Sequence, residues 1–401
     1  MGFASFMAGR AGRQWRLIGP GNSSPHEEQI VMQPIRKILV AIDIETRGGI
    51  ALERAVQLAH RFQAMLVVAD VIPELTWAQR MLLSESQALQ TLIVRDRAIR
   101  LRRLVRTLRS QGVDAHPKIL VGRSGEQLIR LVLRGKFDFL VRATKGPHSR
   151  RQQFFSGTAF ELLRNCPCPI WLCEPAEEGG HEKGHASPAA EPGETIAPEV
   201  TDAGRAEIAR AAARTTGLEH VSRAEPRVLV AIDPAAEGPG LSELNEELLR
   251  AGELITSLLG GSMHVLHAWS IQGEGLVKDY MQTSDFRVLE EAIQKRSWEL
   301  LQELIRSVGV QVPPERLHLV RGEASREISR FVQEQGVHTL VMGTLGRSGL
   351  AGLLMGNTAE MLLHRVRCSV VALKPSGFVS RVKLRPRSVA STNLASVKTG
   401  G

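Results

Sequence analysis

The run Ile38-Leu-Val-Ala-Ile42-Asp43 returns almost letter for letter as Val228-Leu-Val-Ala-Ile232-Asp233, 190 positions later. No other feature restricts the fold as tightly. A continuous apolar run of this length fits a strand covered on both faces, and its recurrence at domain spacing argues for an internal duplication. Each run opens an alternation of strand-like and helix-like segments. After Asp43, strands are expected near Ala64–Ala69, Lys118–Val121, Phe137–Val141 and Ile170–Cys173. After Asp233 they are expected near Met263–Ala268, Leu317–Val320, Thr339–Met342 and Ser369–Leu373. Helical periodicity fills the gaps, including two long stretches at about 85–111 and 285–308. The pattern predicts two parallel, doubly wound sheets, with right-handed crossovers placing helices on both faces.

Sheets of this kind take ligands at the carboxyl ends of their strands, near a topological switch. The segment most suited to a ligand follows Leu340-Val-Met342. Gly343 ends the apolar run, Gly346 follows in the loop, and Gly356 precedes Asn357 and Thr358, residue types that serve as helix N-caps. Strand, glycine loop and helix N-terminus together suit phosphate, because bare backbone comes close and free N–H groups and the helix dipole favour an anion. The spacing G-x2-G-x9-G is neither the Walker pattern nor the dinucleotide fingerprint. The same spacing also serves a tight strand–loop–helix connection with no ligand.

The first copy carries a damaged version of this segment. Positions 143 and 343, like 156 and 356, stand 200 apart, and the first copy has Ala143 and Ser156 where the second has glycine. Arg150, Arg151 and Phe154 fall inside its loop. The first unit therefore reads as structural rather than ligand-loaded.

The glycine spacing resembles the signature of the universal stress protein family, G-x2-G-x9-G-(S/T), and Ser369-Val-Val-Ala-Leu373-Lys-Pro resembles that family's last strand. The departure is Asn357, where nucleotide-binding members have a hydroxyl; Thr358 comes one position later. Because both copies match, the chain resembles the tandem class of that family. The resemblance implies two five-stranded parallel-sheet α/β sandwiches, adenine nucleotide alpha hydrolase-like and Rossmann-like. They would pair through their last strands as a pseudo-dimer within one chain, burying edges that would otherwise be exposed. It also implies ATP or another adenine nucleotide as ligand, with no metal beyond nucleotide-associated magnesium. Asp233 would contact the adenosine portion and the backbone of Ala268 would flank the base. Met342, Gly343, Gly346, Gly356, Asn357 and Thr358 would line the phosphate path. A second role for Asp233 is to cap the start of the following helix.

Domain boundaries follow from composition. Residues 1–34 hold Arg10, Arg13 and Arg16 without a long apolar stretch, which suggests a flexible basic extension; an Arg-rich targeting segment is the other reading. Residues 35–175 form the first unit and 226–375 the second. Residues 176–225, rich in Ala, Glu, Gly and Pro, form a linker, in which His181 and His185 are weak metal candidates. Residues 376–401 form a basic tail. The net charge of +9 does not by itself specify nucleic acid. The arginines at 97, 100, 102, 103 and 106 read as a solvated helix face rather than a nucleic-acid or lipid surface, since no aromatics interleave with them. Four cysteines in 401 residues, with Cys166-Pro-Cys168 lacking zinc spacing, point to buried structural residues. No apolar run reaches membrane-spanning length, so a cytoplasmic protein is expected.

Three functions stand against one another. The first is a non-enzymatic stress protein holding adenine nucleotide in its second unit. The second is a slow ATPase, for which no catalytic residues converge in the sequence. The third is a lipid- or partner-binding stress protein without nucleotide.

Overall fold

The computed structural model describes residues 35–45, 49–74, 86–144, 155–174, 225–238, 240–344 and 355–384. The expected N-terminal extension, nearly all of the linker with its histidines, Gly346, the loop residues Arg150, Arg151 and Phe154, and the end of the basic tail lie outside them.

The first half runs β1 (Lys37–Ile42), α1 (Gly49–Phe62), β2 (Met65–Ile72), α2 (Ser86–Ser110), β3 (Ala115–Val121), α3 (Ser124–Gly135), β4 (Phe139–Ala143), α4 (Gly157–Asn165) and β5 (Ile170–Cys173). The second half opens with β6 (Arg227–Ala231), α5 (Leu241–Leu259) and β7 (Ser262–Trp269), followed by α6 (Glu274–Tyr280) and α7 (Thr283–Val308). A 3-10 turn (Pro314–Arg316) then leads to β8 (Leu317–Arg321), α8 (Ala324–Glu334), β9 (Thr339–Gly343), α9 (Asn357–Arg365) and β10 (Ser369–Leu373). The short helix α6 has no counterpart in the sequence reading. It buries none of its residues, so it carries no apolar stripe for periodicity to detect. Gly260 (φ 63°) and Gly309 (φ 77°) stop α5 and α7 in the left-handed conformation that only glycine adopts cheaply.

The ten strands form one sheet in the order β3-β2-β1-β4-β5-β10-β9-β6-β7-β8. Strands within each half are parallel. The order reads the same from either end, so the duplication has become a pseudo-twofold. Each half contributes five strands, and the halves join through their last strands, as the resemblance implied. The last strands, β5 and β10, pair antiparallel, with Trp171 opposite Val371, and fuse the halves edge to edge. This junction removes the two strand edges most open to unwanted pairing. Across it Arg164 meets Glu360 at 2.5 Å, and the Phe160 ring stacks on His364 at 4.8 Å. Each face of the sheet carries one apolar layer that runs through both halves. One lies under α1, α2, α5 and α7, the other under α3, α4, α8 and α9. The parallel strands are apolar on both faces because both are covered.

Candidate functional site

In the second half, Asp233, Ala268, Gly343 and Gly356 come to one edge. β6 lies between β7 and β9, with Ala231 paired to both Leu266 and Met342. Asp233 therefore leaves the sheet beside Gly343, which ends β9, and beside Ala268, near the end of β7. This is the carboxyl edge on which doubly wound sheets place ligands. Gly356 is brought to the same edge by its amide, which donates to the Thr344 carbonyl at 2.9 Å.

Asn245 fixes the turn at Asp233. Its side-chain oxygen accepts from the Asp233 amide at 3.2 Å, and its Nδ2 donates to the Asp233 carbonyl at 2.8 Å. His267, buried behind this turn, places Nδ1 3.2 Å from the Ile232 carbonyl. Sequence reasoning missed both residues. A polar side chain inside an apolar pattern was the only available signal, and it does not say what the side chain faces.

Three assignments need correction. Asp233 does not cap the next helix: α5 starts at Leu241 behind Gly240. Asn357 and Thr358 are not N-caps either. They are the first residues of α9, and Gly356 holds the cap position with no side-chain oxygen closing the helix end. Asn357 and Thr358 are exposed there, with only main-chain N–H groups at the helix start. Met342 has its side chain buried in the core layer, so only its backbone reaches the edge.

The matching edge of the first half is filled by its own charges. Arg97 of α2 points inward, against the sequence reading of a solvated face. It lies 3.3 Å from Asp43, 2.7 Å from Glu45 and 3.1 Å from Asp70. Asp70 is 1% exposed; burial pushes its carboxyl up, against the opposing pull of Arg97. Burial alone would lower the Arg97 guanidinium, but the carboxylates outweigh it and hold the proton more firmly. Arg142 stands where the second half has Met342 and donates to Ser124 Oγ at 2.9 Å. Burial pulls its proton affinity down while Asp43 supports it. Ser156 closes the start of α4 by accepting from the Ala159 amide at 3.4 Å. The Asp43 carboxylate and the helix end are thus engaged internally.

The model of the universal stress protein family matches residues 34–174 and again 226–374. The chain belongs to the universal stress protein family. Universal stress protein E of Escherichia coli K12 is 23% identical over 359 residues, covering 88% of this chain and 98% of the relative. A homologue of that protein in Haemophilus influenzae is 23% identical over 243 residues, 60% of this chain and 63% of its own. Among solved structures, a functionally unknown protein from Pseudomonas aeruginosa PAO1 superposes with a TM-score of 0.56 at 21% identity, covering 86% of this chain and 94% of that one. That likeness is one of fold. The two family matches make this a tandem universal stress protein, a stress-response protein by family. No described helix is long and apolar enough to cross a membrane.

Proposed function

We propose that this tandem stress protein binds ATP or a related adenine nucleotide at the carboxyl edge of its second half and acts as a cytoplasmic, non-enzymatic stress-response protein. The observation that carries the reading is the contrast between the two edges. One gathers Asp233, Gly343 and an uncapped helix start; the other is closed by Arg97, Arg142 and Ser156. Gly356 supplies a second support. Its φ of −60° is open to any residue, so glycine is not required there by the turn. Close approach of a ligand to bare backbone would account for it.

In this reading the Asp233 carboxylate takes the ribose hydroxyls and the Ala268 main chain lies beside the base. The amides of Gly343, Gly346, Gly356, Asn357 and Thr358, with the α9 dipole, take the phosphates. Magnesium would enter only with the nucleotide.

Titration calorimetry with ATP, ADP and AMP on the full chain tests this. One nucleotide per chain is expected. Replacing both Gly343 and Gly356 with valine should weaken binding by about a hundredfold or more, and Asp233→Ala by about tenfold. Unchanged affinity in the glycine variant removes the site. ATP consumption abolished by Asp233→Ala would replace this reading with a slow ATPase. Extractable lipid with no nucleotide affinity would replace it with a lipid-binding protein.

A further inference from the structure

Where the two halves meet, Cys166 and Lys374 are among the side chains that break the pseudo-twofold. Cys166 and Cys168 follow α4 in the first half; at the matching places the second half has Val366 and Cys368. Lys374 follows β10; its counterpart after β5 is Glu174. The sequence reading took all the cysteines as inert core, and all four are buried free thiols. Their surroundings are nevertheless unequal.

Cys166 Sγ and Cys168 Sγ are 3.6 Å apart. A disulfide bond measures about 2.05 Å, so the sulfurs must close by about 1.5 Å to bond. Lys374 reaches across from the second half. Its ammonium donates to the Leu163 carbonyl of α4 and, at 3.2 Å, to Thr344 Oγ1. It also lies 4.7 Å from the Phe378 ring centre. None of these neighbours is an anion, and the Lys374 residue is only 9% exposed. An ammonium held this way gains from a thiolate beside it.

The proton affinities agree with that geometry. Burial drives Lys374 down to about 8, against the support of Cys166 and Cys168. Burial would raise the Cys166 thiol, but the Cys168 hydrogen bond and the Lys374 charge outweigh it and bring the thiol below its ordinary value. Cys168 moves the other way, through its bond to Cys166 and its burial, and stays protonated. Cys173 is pushed up to about 12 by burial, and Cys368 is raised by burial with Glu174 adding to the effect.

We propose that Cys166 and Cys168 form a redox-active dithiol at the junction of the halves, oxidised to an internal disulfide by hydroperoxide, with Lys374 supporting the Cys166 thiolate. The Cys166 sulfur attacks one peroxide oxygen. The O–O bond breaks, the second oxygen leaves as hydroxide, and Cys166 becomes a sulfenic acid. Cys168 then attacks that sulfur, forming the S–S bond and expelling the sulfenic oxygen as water. In total, two thiols and one hydrogen peroxide give one disulfide and two waters. A water-sized oxidant reaches the pair through local opening of the junction. Reduction is by thiol–disulfide exchange with a dithiol reductant. Cys173, where burial outweighs the pull of Arg54, and Cys368, with Glu174 near it, remain thiols.

The test is a thiol count on the full reduced chain after brief treatment with near-stoichiometric hydrogen peroxide. Denaturation, alkylation and mass analysis should show two of the four thiols lost, a Cys166–Cys168 cross-linked peptide, and recovery by dithiothreitol. Four surviving thiols, or oxidation of Cys173 or Cys368 at the same rate, would overturn the proposal. With Cys168→Ser, the sulfenic acid should persist on Cys166 and be trapped by dimedone; no adduct there refutes the assigned order. Lys374→Met should slow the peroxide reaction by about tenfold at neutral pH. An unchanged rate in a variant that melts like the parent removes Lys374 from the site.

Discussion

The carboxyl edges of the two halves share one backbone plan and differ in what their side chains do with it. In the first half, Arg97 binds Asp43, Glu45 and Asp70 together, Arg142 replaces a methionine, and Ser156 closes its helix. In the second, Asn245 holds the Asp233 turn through main-chain bonds, and Gly356 leaves its helix without a side-chain cap. One sheet plan can thus present two different edges, according to whether its polar groups are satisfied internally. In exchange for the second edge's open helix start, the first edge carries an ion-pair cluster whose loss should be costly.

That exchange makes the largest prediction. Arg97→Ala leaves Asp70 buried without its cation and should destabilise the first half by about 3–5 kcal/mol in denaturant unfolding. Replacing Arg97 with Met and Asp70 with Leu together should recover most of the loss. If Arg97→Ala costs no more than an ordinary surface substitution, the cluster is not what closes that edge.

A smaller effect belongs to the second half alone. Glu247 on α5 has its carboxyl raised to about 7 by burial, with Glu243 and Glu246 adding to it against Arg250. A carboxyl that holds its proton more tightly when folded gives stability at low pH, and that stability is lost as pH rises from 4.5 to 7. Glu247→Gln should remove this slope and make the chain more stable above pH 7 by on the order of 2–3 kcal/mol, read from unfolding midpoints at pH 5 and pH 8. An identical pH profile in the variant would show that Glu247 titrates normally.

The smallest effect sharpens the contrast most directly. Gly356→Ser gives α9 the hydroxyl that Ser156 gives α4. It should raise stability by a few tenths of a kcal/mol, at the edge of detection by thermal melting. It should also weaken nucleotide binding by competing for the same amides. Stronger binding in this variant would mean that the helix start does not take the phosphates.

Much of this was legible in the chain. The runs ending at Asp43 and Asp233 gave the central strands, because a strand covered on both faces must be apolar throughout. The glycine at 343 and the alanine at 143 marked the two loops as different. Arg97 could not be read. On α2 it is one of several arginines, and only the approach of β1 and β2 reveals that it faces three carboxylates. Lys374 was equally silent, since its neighbours Leu163 and Thr344 lie far from it in sequence.

The sequence by itself determined the duplication, the strand and helix alternation, and which copy kept glycines at its loop, because periodicity and backbone freedom are local properties. Tertiary structure alone decided that one carboxyl edge is engaged from within by Arg97, and that a lysine of one half reaches the end of α4 in the other. Those outcomes depend on which distant side chains are brought out of water together, and the strength of a charge pair is set by that shared burial.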